Sequence, residues 1–172
     1  YMEDEGSDAE SDCVLCGVGK YSTVVGSFAA GDCTDCVAGK HLSSEGNDAE
    51  SDCVLCGVGK YSVVVGSSSE GDCIDCVAGK YAANDGSSSC AVCPASKYQS
   101  EAAKSYCSEC AAGSVTDKGP SAGATTCTTC GAGKYSTASN VASCTDCGAG
   151  QYQLDDGKSY CSECAAGSIT DT

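Results

Sequence analysis

All 18 cysteines of this 172-residue chain fall in Cys-x-x-Cys pairs, and the pairs recur at near-constant spacing. Nothing else in the sequence restricts the fold as much, because self-similarity at a fixed period signals a stack of like units. The pairs start at Cys13, Cys33, Cys53, Cys73, Cys90, Cys107, Cys127, Cys144 and Cys161, in steps of 20, 20, 20, 17, 17, 20, 17 and 17 residues. The text after each pair is nearly constant. Cys16 is followed by Gly-Val-Gly-Lys-Tyr-Ser and Cys130 by Gly-Ala-Gly-Lys-Tyr-Ser. A glycine stands third after the second cysteine (Gly19, Gly39, Gly59, Gly79, Gly113, Gly133, Gly150, Gly167), with Ser96 as the exception. An aromatic stands two residues later at Tyr21, Tyr61, Tyr81, Tyr98, Tyr135 and Tyr152, replaced elsewhere by His41, Val115 and Ile169.

The period divides the chain into a partial unit at 1–12 and repeats at 13–32, 33–52, 53–72, 73–89, 90–106, 107–126, 127–143 and 144–160. A ninth, partial repeat occupies 161–172. Larger duplications overlie this pattern. Residues 46–66 nearly repeat 6–26, two repeats apart, and 151–171 nearly repeat 97–117, three repeats apart. Tyr1 aligns with His41, so the chain is expected to start and stop inside a repeat, as an excerpt of a longer array.

Composition says what must hold such a chain together. Leu, Ile, Val and Phe together number 21, about 12% of residues, against a net charge of −15. A chain this poor in large hydrophobes and this charged does not build a conventional core. Cysteine above 10% supplies the substitute, cross-links in place of a core. Disulfides at this density require an oxidising compartment, so the expected location is secreted, extracellular or cell-surface. The opening residues Tyr-Met-Glu-Asp-Glu show no leader pattern. No apolar run approaches the roughly 18 residues of a membrane span, so no membrane insertion is expected. With no Arg and nine Lys the chain is a poor partner for nucleic acid.

Two pairings of the cysteines are open. In a ladder, the second cysteine of each pair joins the first of the next: Cys16–Cys33, Cys36–Cys53, Cys56–Cys73, Cys76–Cys90, Cys93–Cys107, Cys110–Cys127, Cys130–Cys144 and Cys147–Cys161. Cys13 and Cys164 then find partners outside the segment. In the alternative, pairs join two by two, as Cys13–Cys33 with Cys16–Cys36. The near-identical stretches after Cys110 and Cys164 lie three repeats apart and would have opposite roles in the second scheme, which favours the ladder. Closing each loop contributes about 3 kcal/mol on the chain-entropy account.

Other chemistry has little material. Four-thiolate zinc fits the spacing Cys-x2-Cys-x16-Cys-x2-Cys. It also needs pairs taken two by two, and the glycine falls one place away from that of the co-chaperone zinc domain it is similar to. A redox Cys-x-x-Cys needs a depressed thiol pKa, whereas Asp35, Asp75, Glu109, Asp146 and Glu163 precede the second cysteine and would raise it. His41 is the single histidine and fills a tyrosine slot. No catalytic, cofactor or metal site is assigned, and the chain is read as a non-enzyme. Calcium at the loop carboxylates Glu3–Glu5, Asp48–Asp52 or Asp155–Asp156 stays open, without an EF-hand pattern. O-linked glycans on the 37 Ser and Thr stay open too, while no Asn-x-Ser/Thr sequon exists. The tyrosine row Tyr21, Tyr61, Tyr81, Tyr98, Tyr135 and Tyr152 is expected to pack over the neighbouring bridges. The Lys row is expected to pair with Asp12, Asp32, Asp52 and Asp72. Tyr21–Val25 and Tyr61–Val65, rich in β-branched residues, are expected to be short strands, and the Gly-Ser clusters after them turns.

The unit Cys-x-x-Cys-x-x-Gly-Lys-Tyr-Ser resembles the ephrin-receptor-like cysteine-rich repeats, relatives in style of the TNF-receptor and growth-factor-receptor modules. Those families often carry Pro after the second cysteine; here Pro94 alone does. Arrays of this kind look like those in large surface proteins of algae and other protists, including flagellar hair (mastigoneme) proteins. The resemblance implies a small disulfide-rich, mostly β fold, an elongated tandem-repeat rod of short β-hairpins with little or no helix. The function expected is a structural component of an extracellular filament, hair or matrix that self-associates with other copies of the array. The alternative is a spacer or ligand-binding ectodomain of a cell-surface receptor or adhesin.

Overall fold

The computed structural model describes residues 13–26, 29–137 and 141–169. The partial unit at 1–12, with Tyr1, Glu3–Glu5 and Asp12, lies outside the described residues, as do Asn140 and the last three residues.

The chain forms eight two-residue or three-residue antiparallel hairpins. Each begins with the residues that follow the turn position of one repeat, Lys-Tyr in five of the eight, and ends on the residues between the cysteines of the next, joined by Cys127 itself in one. Strands β1 (Lys20–Tyr21) and β2 (Thr34–Asp35) pair, as do β3 (Lys40–His41) with β4 (Val54–Leu55) and β5 (Lys60–Tyr61) with β6 (Ile74–Asp75). Next come β7 (Lys80–Tyr81) with β8 (Ala91–Val92), β9 (Lys97–Tyr98) with β10 (Ser108–Glu109), and β11 (Ser114–Thr116) with β12 (Cys127–Thr129). Strands β13 (Lys134–Tyr135) and β14 (Thr145–Asp146), then β15 (Gln151–Tyr152) and β16 (Ser162–Glu163), complete the series. Among the described residues there is no α-helix. Single 3-10 turns at Ala30–Asp32, Glu50–Asp52 and Glu70–Asp72 take up the three extra residues of the first three 20-residue repeats.

The strands are shorter than their β-branched content suggests. Strands β1 and β5 stop at Tyr21 and Tyr61; Val25 is fully exposed and Val65 sits in a turn. The reason is register. The partner strand is only two residues long between its cysteines, so later residues have no ladder to join, and β propensity without a partner edge builds no strand.

Eight disulfides cross-link the hairpins: Cys16–Cys33, Cys36–Cys53, Cys56–Cys73 and Cys76–Cys90, then Cys93–Cys107, Cys110–Cys127, Cys130–Cys144 and Cys147–Cys161. Cys13 and Cys164 carry no disulfide here. The molecule is thus a small disulfide-rich, mostly β tandem repeat. It divides into two compact units, Tyr1–Cys76 with Ala82–Cys90, and Val77–Tyr81 with Ala91–Thr172. In the first, the buried apolar residues are Cys16, Cys36, Cys53, Cys56, Cys73 and Cys76 with Leu42 and Ala82; in the second they are Cys93, Cys110, Cys130 and Ala124. Sulfur fills most of what interior exists.

Candidate functional site

The feature every repeat builds is its contact with the next, so the candidate site is the seam between repeats. It starts from a four-residue turn. Lys20 N–H donates to the Gly17 carbonyl, Lys40 to Val37, Lys60 to Gly57, Lys134 to Gly131 and Gln151 to Gly148. The third residue of each turn has positive φ (Gly19 78°, Gly39 86°, Gly59 78°, Gly133 77°, Gly150 76°). That is the type II position, where a side chain is strained and glycine is not.

This turn puts both polar groups of the glycine on the following repeat. In the first compact unit, Gly19 N–H donates to Leu42 O at 2.8 Å, and Gly39 N–H to Ser62 O at 2.9 Å. Cys36 N–H returns a bond to Gly19 O and Cys56 N–H to Gly39 O, both at 2.9 Å. The second cysteine then passes the chain of bonds one repeat further, because Gly66 N–H donates to Cys36 O and Gly86 N–H to Cys56 O. The carbonyls of Gly66 and Gly86 lie directly on the Cα atoms of Gly19 and Gly39, so that any Cβ there would overlap them. Three successive repeats therefore meet at one backbone crossing. In the second compact unit Gly79, Cys93 and Gly123, and again Gly113, Cys130 and Gly157, make the same crossing.

The loop partner at this crossing is a second glycine slot that the motif reading above does not contain. Gly26, Gly46, Gly66, Gly86 and Gly157 each stand five residues after the aromatic position, and all have φ between 69° and 73°. In the 107–126 repeat, whose loop is longer, Gly123 takes the part at φ 82°. The signal was available as a second fixed-offset glycine inside a loop that looks variable by side chain.

Burial follows the backbone rather than the aromatic. The residue after the aromatic is buried in every case from Leu42 through Ser62, Ala82, Gln99, Thr116 and Ser136 to Gln153, whatever its chemistry. The carbonyls of Leu42, Ser62, Ala82, Gln99, Ser136 and Gln153 accept from the turn glycine of the preceding repeat, and Leu42, Ser62, Gln99 and Ser136 also donate their N–H to the next repeat, Leu42 to Ser67 O for example. The buried polar side chains are satisfied locally, as buried polar groups must be. Gln99 Nε2 donates to Tyr106 O and Gln153 Nε2 to Tyr160 O, while their Oε1 atoms accept from Glu101 N and Asp155 N. The tyrosines are placed at the flank. Tyr21 lies against Cys36, Leu42 and Cys53, Tyr61, Tyr81, Tyr98 and Tyr135 are half-buried, and Tyr152 is exposed. His41 occupies β3 with its Nδ1 buried and without a hydrogen-bond partner.

The lysines pair differently from the sequence expectation. Lys20 binds Asp35 and Lys60 binds Asp75, each at 2.6 Å, Lys97 binds Glu109 at 3.2 Å, and Lys134 binds Asp146. The carboxylate precedes the second cysteine of the next repeat and stands directly across the hairpin. Cross-strand register thus overrides the carboxylates that precede the first cysteine. Asp52 instead accepts from Ala49 N, and Asp72 accepts from the buried Ser67 hydroxyl. Where a leucine faces the lysine, as Leu55 does Lys40, the ammonium turns to Glu50 at 2.9 Å. The hydrogen bond and charge of Asp75 raise the Lys60 pKa; Lys104 holds Glu101 below its ordinary value, and Glu101 raises Lys104 in return. Partial desolvation would raise Asp117, but bonds from the Thr125 hydroxyl and amide bring it below its ordinary value.

Among the described residues, no three of His, Cys, Asp and Glu converge as metal ligands would, and no helix is long and apolar enough to cross a membrane. Asp155 pairs with Lys158, and Asp156 Oδ1 accepts from Ala132 N.

These features define a disulfide-stapled cysteine-rich repeat, in which successive copies are interlocked by backbone. The family model of the tyrosine-protein kinase ephrin type A/B receptor-like repeat matches residues 65–105 and 133–172. Both stretches are similar to ephrin-receptor-like cysteine-rich repeats. No curated protein matches the chain.

Proposed function

We propose that the chain is a structural component of an extracellular filament, hair or matrix, and not an enzyme. The observation that carries this reading is the three-repeat backbone crossing. The constant turn glycine and second cysteine of the repeat serve the stacking of one copy on the next. Repetition of that kind offers identical surface at fixed intervals, which suits open-ended association of copies. Negative-stain microscopy of native material, with sedimentation across concentration, tests it. Filaments or concentration-dependent association are expected; isolated monomers under all conditions would defeat it.

A receptor or adhesin ectodomain is the second reading. It is supported by Tyr106 and Tyr160, each 60% exposed, since exposed aromatics are favoured anchors for partners. Under either reading the native oxidation state is the ladder of eight bridges. Peptide mapping of non-reduced material checks this, and a Cys16–Cys36 linked peptide would refute it.

A further inference from the structure

Among the described residues, two that are not glycine have positive φ, Ser96 at 66° and Ala103 at 58°. Both lie in the 90–106 repeat, and they fall on the two slots that the seam reserves for glycine: third after the second cysteine, and fifth after the aromatic. An L-residue in this region suffers a clash of Cβ with the backbone that glycine does not. We infer that the 90–106 repeat is a built-in compliant point, one that opens before the 144–160 repeat under heat, denaturant or tension.

The 144–160 repeat is an internal control. It carries the same glutamine brace, Gln153 to Tyr160 in place of Gln99 to Tyr106. It also has the same i,i+3 ion pair, Lys158–Asp155 in place of Lys104–Glu101. Its two slots hold Gly150 and Gly157, at φ 76° and 73°. Thr129 is the nearest neighbour that a Cβ on Gly157 would meet, at an ordinary 3.6 Å. The two repeats therefore differ in strain where they agree in bracing. The inference holds whether the array serves as a filament or as a receptor spacer, because it concerns local stability alone.

Native-state hydrogen exchange on the oxidised full chain tests it, comparing peptides over 94–104 and 148–158 after correction for intrinsic rates. Residues 94–104 should exchange at least about 5-fold faster, the smallest factor that strain at a single such residue implies. Ser96→Gly with Ala103→Gly should slow that segment to the rate of 148–158. Gly150→Ser with Gly157→Ala should speed 148–158 by a similar factor. Equal protection of the two segments in the unaltered chain, or no slowing in the double glycine variant, overturns the inference. The glycine variant decides the matter even if the reverse exchange prevents folding.

Discussion

Residues 97–117 and 151–171 carry nearly the same text, yet one stretch holds Ala103 where the other holds Gly157. Both loops are tied down by a buried glutamine that reaches the carbonyl of the following tyrosine. Both therefore keep one shape, and a left-handed backbone is imposed on whichever residue stands at the slot. The comparison teaches that the seam dictates the conformation and the residue only sets its cost. Two repeats alike in side chains thus differ at the two glycine positions, and that is where their stabilities are expected to part.

Cutting the bridge that closes each loop has the largest effect. Cys93→Ser with Cys107→Ser, or Cys147→Ser with Cys161→Ser, should each cost about 3 kcal/mol in chemical unfolding. If strain separates the two repeats, the first variant also loses protection over 94–104 before the rest of the molecule. Gly113→Ala comes next, because its Cβ would overlap the Gly157 carbonyl as well as meet an unfavourable φ. A loss of about 2–3 kcal/mol is expected, read as lost protection in both the 107–126 and 144–160 repeats. An effect confined to its own repeat would deny the crossing. Gly157→Ala isolates strain without overlap and should cost about 1–2 kcal/mol. Gln153→Ala removes the brace and leaves the Tyr160 carbonyl without its donor, a loss of about 1 kcal/mol. Gln99→Ala should cost less, if relief of strain at Ala103 offsets part of it.

The smallest effect is electrostatic and is read in the 90–106 repeat. Lys104 lowers the Glu101 pKa in the folded chain, so this pair contributes above the unfolded carboxylate value and is lost as pH falls through the lower, folded one. Exchange over 94–104 should quicken slightly in that acid window, and Glu101→Gln should remove the change. High salt should flatten it as well, since the pair is exposed.

Much of the hairpin architecture was legible in the residues. The Lys-Tyr step, the turn glycine and the cysteine spacing are local, recur many times, and describe a short two-stranded unit stapled to its neighbour. What was not legible depended on register between repeats. The expected strand Tyr61–Val65 ends at Tyr61 because its partner offers only Ile74 and Asp75. The lysines choose Asp35 and Asp75 because those residues stand across the hairpin, a relation that chain distance does not reveal. Ser62 and Gln99 are buried, although nothing in their own polarity predicts it, since it is their backbone that the seam requires.

By itself the sequence determined a covalent scaffold: cysteines dense and regular enough for a cross-linked array, with glycine at each tight turn except the one at Ser96. These are properties of neighbours along the chain and need no knowledge of the fold. Only the tertiary structure decided which atoms meet across repeats. Gly19 and Gly66 touch because two intervening hairpins bring them together, and a contact between backbones leaves no trace in side-chain chemistry beyond the absence of a Cβ.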